Sequence, residues 1–153
     1  RQSAIDIMQQ EWFAGIRDSN RYHLYRSEWS VQLITVTVPY FNEVKIKCFR
    51  DALIRFRLGV SEIQVHKNRF IRNGNESMND CPFCPRSTED EKHILFHCTQ
   101  YDSVRPDSYR SVQPQCEDRF LVQLLSCVDA GRTRQLAWFL FKCFEKRRIM
   151  TCV

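Results

Sequence analysis

Residues 81–98 read CPFCPRSTEDEKHILFHC, a C-x2-C-x8-H-x4-C spacing. A C-x2-C pair makes a tight knuckle whose two thiolates point at one centre, and a second pair of ligands from a following helix completes a tetrahedron. Cys81, Cys84, His93 and Cys98 are therefore the candidate ligands of one structural Zn2+. Thr88 and Glu91 have the T-x-x-E form of a capping box, expected to open a helix ahead of Ile94, Leu95 and Phe96, with Glu89-Asp90-Glu91 as its acidic first turn. Residues five apart diverge by about 140° on an ideal α-helix, so Cys98 must lie where the helix unwinds. His97, four residues after His93, competes as fourth ligand, and the softness of thiolates favours Cys98.

Other uses of the cysteines fit less well. Redox C-x-x-C pairs normally open a helix after a strand in a βαβ unit, a context missing here. A C2H2 finger needs about 12 residues between its ligand pairs, so no helix read into the major groove is expected. A closed four-ligand site has no open position for hydrolysis.

Outward from the motif, the pattern is helical. Ile5, Met8, Trp12 and Ile16 recur at helical spacing and predict a helix over 5–18; Tyr22, Tyr25 and Trp29 predict a shorter one after the Asp18-Ser19-Asn20 turn. Residues 30–38 alternate like a strand or an extended linker before Pro39. Ile46, Phe49, Leu53 and Phe56 predict a helix from about Asn42 to Leu58, ended by Gly59, and a polar loop follows over 68–80. Glu117–Ser126 and Gly131–Arg148 read as two more helices, the second with Leu136, Phe139, Leu140 and Cys143 inward. Lys142, Lys146, Arg147 and Arg148 crowd its last turns, where positive charge suits the helix dipole. Cys48, Cys116, Cys127 and Cys143 lie in apolar-periodic segments and read as buried thiols, which favours a reducing compartment.

A chain of 153 residues with 43% hydrophobic residues and only four Gly and five Pro is globular, and can bury roughly 68 to 70% of its unfolded surface. Beginning at Arg1 without an apolar leader pattern, it reads as a piece of something longer, and no apolar run is long enough to span a membrane. The formal charge is +5, and Lys45, Lys47, Arg50, Arg55, Arg57, Lys67, Arg69 and Arg72 against Glu43, Asp51 and Glu62 place that whole excess between residues 43 and 72. Lys47, Arg50 and Arg57 fall together on one side of the 42–58 helix, beside its apolar stripe.

In order and spacing together, FRDALIRFRLGVSEIQVHKNRF, CPFC, EDEKHILFHC and TQYDSVR resemble the C-terminal region of reverse-transcriptase polyproteins of non-LTR (LINE-type) retrotransposons. The likeness covers about residues 44–105, with fainter echoes in EWFAGIRDSNRYHLYRSEW and LAWFLFKCFEKR. It implies a CCHC zinc knuckle downstream of the polymerase domain that helps hold template RNA or target DNA. The ligands carried over are Cys81, Cys84, His93 and Cys98; Tyr101 and Arg105 match the aromatic and arginine that follow, and Arg50, Arg55 and Arg57 match the family's basic helix. Val60-Ser61-Glu62 departs from the Ser-His that the family often places after the helix glycine.

Polymerase catalysis needs paired carboxylates on a Y-x-D-D hairpin, which the sequence lacks, as it lacks P-loop, G-x-S-x-G and H-E-x-x-H motifs. Arg105-Pro106-Asp107 with Glu117-Asp118 imitates the nuclease motif of some site-specific retroelements but has no acid-x-Lys. The expectation is a mainly α, small helical domain with an embedded structural zinc knuckle: a helical region over 1–79 with the basic helix, a knuckle module over 80–105 and a helical region over 106–153, forming one compact unit. It is expected to be intracellular, in cytoplasm or nucleus, and to bind the phosphate backbone of RNA or DNA without catalysis. The contacts would be Lys47, Arg50, Arg55, Arg57, Lys67, Arg69 and Arg72. The alternative is a zinc-scaffolded protein-interaction module, with the polymerase domain of the same polyprotein as a partner.

Overall fold

The computed structural model describes Gln10, Ala14 and Gly15, residues 42–68, Ile71, residues 76–126 and residues 129–151. The helices expected over 5–18 and 22–29 and the extended stretch over 30–38 lie outside this set, apart from Gln10, Ala14 and Gly15, which are helical. Arg69, Phe70, Arg72 and Cys127 lie outside it too. The protein is mainly helical, as expected. Among the described residues no strand forms, and the β-pairing is one isolated antiparallel bridge between Asp80 and Thr88.

The helix expected over 42–58 is broken near its start. Asn42 and Glu43 are helical, residues 44–46 leave the helix, and α1 runs Lys47–Arg57. Val44 is buried at the break while Ile46, expected inward, is 53% exposed. Leu53 and Phe56 are fully buried, and Phe49 packs on Phe141 with ring centroids 4.9 Å apart. Gly59 ends α1 as the sequence predicts. It takes φ 63°, its N–H donates to the Phe56 carbonyl, and Val60 N–H reaches back to the Arg55 carbonyl, the paired bonds of a Schellman cap.

A short helix α2 (Gln64–Asn68) follows, then the segment carrying the candidate ligands, α3 (Asp107–Arg110), α4 (Glu117–Ser126) and the long α5 (Ala130–Thr151). Asp129 caps α5: its Oδ1 accepts the Arg132 N–H at 2.6 Å. Leu136, Phe139, Leu140 and Cys143 are fully buried, as their spacing predicts, and Ala137, Phe144 and Arg147 join them. So broad a buried surface suits a helix with neighbours on several sides. α1 packs along one side of α5 and α4 along another, while Tyr109 of α3 meets Phe139 edge-on at 5.6 Å. One continuous core results, running from Val44 and α1 through the ligand segment to α4 and α5.

Candidate metal centre

The knuckle is a tight hairpin. Cys81 N–H donates to the Ser87 carbonyl at 2.7 Å, Cys84 N–H to the Cys81 carbonyl at 3.3 Å, and Glu89 N–H to the Asn79 carbonyl at 2.7 Å. Its tip turns at Arg86, which holds φ 63°, a left-handed conformation that costs a side-chain-bearing residue roughly 1–2 kcal/mol.

The following helix starts differently from the expectation. Thr88, assigned above as the cap, is exposed and sits in the bridge to Asp80. Asp90 is the cap, its Oδ1 accepting the His93 N–H at 2.7 Å. Glu89 and Glu91 are not a solvated acidic turn either; both are buried and paired. From His93 to His97 the helix widens into a single π turn, closed by Cys98 N–H donating to the His93 carbonyl at 2.7 Å. This wider turn removes the 140° problem. It brings residue 98 back towards residue 93, and Cys98 then leaves the helix in extended conformation.

Cys81, Cys84, His93 and Cys98 thus converge, with ligand atoms all within 4.8 Å of one another, a cluster that could hold a metal ion. The Cys98 sulfur lies 3.9 Å from that of Cys81 and 3.7 Å from that of Cys84. A tetrahedron with metal–sulfur bonds of about 2.3 Å has S···S edges of about 3.8 Å, so the residues fit. His93 Nε2 is buried without a hydrogen-bond partner. His97 points away: half exposed, it meets Glu117 at 3.1 Å.

Burial shapes the protonation of the cluster. It raises the Cys81 thiol and raises Cys98 strongly, and it lowers His93, keeping that imidazole neutral and fit to ligate. Cys84 is the exception: burial works against its thiolate, but hydrogen bonds from Thr99 and Cys98 outweigh this and lower it. Burial and neighbouring thiolates together disfavour charge at Cys81 and Cys98, and a cation held at the centre would reverse that balance.

Around the cluster stand residues that the sequence reading left without this role. Glu89, fully buried, pairs with Arg147 of α5 and accepts the first N–H of α2, from Gln64, at 2.8 Å. Glu91 accepts from His66 Nε2 at 2.7 Å, and His66 Nδ1 takes the Ser61 N–H at 3.3 Å and the Ser61 hydroxyl at 2.7 Å. A backbone N–H can only donate, so Nδ1 is the acceptor and Nε2 carries the proton. Serine, histidine and carboxylate here form a buried strut, with each member at most 5% exposed. Arg105 donates to the Cys98 carbonyl at 2.5 Å and pairs with Asp102, and Tyr101 packs edge-on against Phe83 inside the knuckle. A signal did exist in the sequence: Arg147 continues the Leu140–Cys143 stripe at helical spacing, and His66 follows the buried Ile63 by three.

The basic residues separate. Lys47, Arg55 and Lys67 are exposed, Lys47 pairing with Asp51 at 2.7 Å. Arg50 is half-buried and donates to the Val44 carbonyl at 3.2 Å. Arg57 is 6% exposed, which removes it from the phosphate contacts expected above. Both adjoin the apolar stripe of α1, and packing against that stripe covers them. The α5 cations do more than suit the helix dipole: Lys146 reaches the Gln100 carbonyl at 2.7 Å and Arg148 reaches Glu62 at 3.1 Å. The thiols also divide, Cys143 being buried but Cys48 and Cys116 exposed, because their positions fall on outer faces.

Set against protein-family models, curated proteins and solved structures, the chain matches none of them.

Proposed function

We propose that this chain is a zinc-stabilised nucleic-acid-binding segment of a non-LTR retrotransposon reverse-transcriptase protein or a domesticated relative, without catalysis of its own. The observation that carries the reading is the convergence of three thiols and one imidazole at tetrahedral edge lengths, in one core with a helix that offers Lys47 and Arg55 to solvent. Three sulfurs and a nitrogen with no open position are a donor set for structural Zn2+, which would fix the knuckle and supply no reaction. Lys67 on α2 extends the exposed cations, and the order of motifs over residues 44–105 supports the family assignment. Contacts of this kind are made to phosphate and give affinity with little base selectivity.

The test has two arms. Metal analysis of the purified chain is expected to give one zinc per chain, and another stoichiometry or metal removes the first half of the reading. Titration with structured RNA and duplex DNA across a salt series is expected to show a log–log slope of about 0.7 to 0.9 per phosphate contacted, reduced when Lys47, Arg55 and Lys67 are changed to Gln. No binding at ~50 mM salt, where such contacts are strongest, would leave the protein-interaction reading. One feature favours that second reading: Ile46 and Trp138, both exposed, line an apolar groove of about 400 Å3.

A further inference from the structure

Between α1 and α5 lies a cavity of about 310 Å3, open to solvent, whose walls differ in chemistry. From α5 come Phe141 and Phe144, and Ala52 of α1 faces the same space, so part of the lining is apolar. Arg55 of α1 and Arg148 of α5 supply guanidinium groups, and Asp51, Ser61 and Glu62 supply acceptors. The volume is at the lower end of the roughly 300 to 1,000 Å3 typical of small-ligand sites, which suits one small molecule or one unit of a polymer rather than a duplex.

The charges are not equally committed. Asp51 is held by Lys47 at 2.7 Å and Glu62 by Arg148 at 3.1 Å. Arg55 makes no ion pair among the described residues, and its side chain is exposed at the cavity wall. Arg55 acts on Asp51 only at longer range, so its guanidinium fork stays open to the paired oxygens of a phosphate. A bare phosphate would leave the Phe141, Phe144 and Ala52 wall and the carboxylates of Asp51 and Glu62 unused. A ligand that uses all of them carries a phosphate, a planar apolar ring and several O–H or N–H donors.

We infer that this cavity takes a single nucleoside monophosphate unit, with its phosphate on Arg55 and its base against Phe141, the partly exposed ring, since Phe144 is only 3% exposed. The inference rests on the nucleic-acid reading above and sharpens it: an unpaired nucleotide, not a helical duplex, is what the space admits. Ribose hydroxyls or base amino groups donate to Asp51 and Glu62.

The experiment is backbone-amide NMR of the metal-loaded full chain, titrated separately with adenosine and uridine monophosphates, with inorganic phosphate and with a single-stranded oligonucleotide. Mononucleotides at ~1 to 10 mM are expected to shift Arg55, Ser61, Glu62 and Phe144 together. Arg55→Gln is expected to weaken that binding by about tenfold, the size of a lost charge-assisted contact. Ala52→Leu, which grows into the cavity, is expected to abolish it. Competition by the oligonucleotide at the same amides identifies a strand as the source of the nucleotide; mononucleotide binding without competition identifies the free nucleotide. Inorganic phosphate binding as tightly as the nucleotides overturns the inference in favour of a plain anion patch. Oligonucleotide binding with these amides unmoved overturns it while leaving the broader reading intact, and no binding of any nucleic acid removes both.

Discussion

The knuckle and the helical scaffold share one core but are stabilised by different means. In the scaffold, α1, α4 and α5 meet through Leu53, Phe56, Leu124, Leu125, Leu136, Phe139 and Leu140, each at most 2% exposed. In the knuckle the short chain from Asn79 to Arg105 buries Ile94, Leu95 and Tyr101, but it also buries Glu89, Glu91, His93 and Arg105. Apolar packing tolerates change in any direction that keeps volume; buried charge tolerates only change that keeps the partner. The scaffold should thus fail gradually on substitution and the knuckle abruptly.

The largest effect is expected at the four candidate metal ligands. Cys98→Ser removes a sulfur that lies close to both other thiols, 3.9 Å from Cys81 and 3.7 Å from Cys84, and structural Zn2+ sites contribute apparent binding energies of about 10 to 16 kcal/mol at pH 7. Loss of stoichiometric metal and of amide protection over 81–98, with helical circular dichroism from α1 and α5 largely kept, would confirm that the two regions are separable. Loss of all helical signal would show instead that the scaffold depends on the ion. Phe139→Ala probes the other side: a fully buried ring, whose removal is expected to cost about 3 to 5 kcal/mol in denaturant unfolding.

Glu89 joins the two regions, and Glu89→Ala should cost a similar ~3 to 5 kcal/mol, because it takes the carboxylate away from the buried Arg147 guanidinium. The double change Glu89→Met with Arg147→Met should recover most of that loss if the pair serves as a tether. A double variant as unstable as the single one would mean that the α2 N-terminus, which Glu89 also holds, is the more important client. The smallest effect is expected at Arg86→Gly, which relieves a left-handed side chain at the knuckle tip and should raise stability by at most about 1 kcal/mol in the metal-loaded protein.

How far these regions could be read from sequence follows the same division. Helical periodicity identifies α4 to the residue and the inward face of α5, and Gly59 marks the end of α1, because burial of apolar stripes and a left-handed cap are local facts. The four converging donors could also be named, since their spacing is nearly a statement of geometry. What escaped was the burial of several charged residues. Glu89, Glu91 and Arg147 look like surface residues until their partners, 25 to 58 positions away, are in place, and Arg57 looks like one until α1 is packed. The capping box at Thr88 misled for a related reason: hairpin pairing to Asp80 claimed that residue first.

The single wide turn between His93 and Cys98 has a consequence for descent. A π turn is an ordinary helical turn with one residue inserted, and such insertions survive where function rewards them. Shortening this chain by one residue there would return the pair to i, i+4 spacing, which an unmodified α-helix already aligns on one face. A lineage could therefore pass between H-x3-C and H-x4-C without dismantling the centre, the helix absorbing the change in length while the donors stay in place.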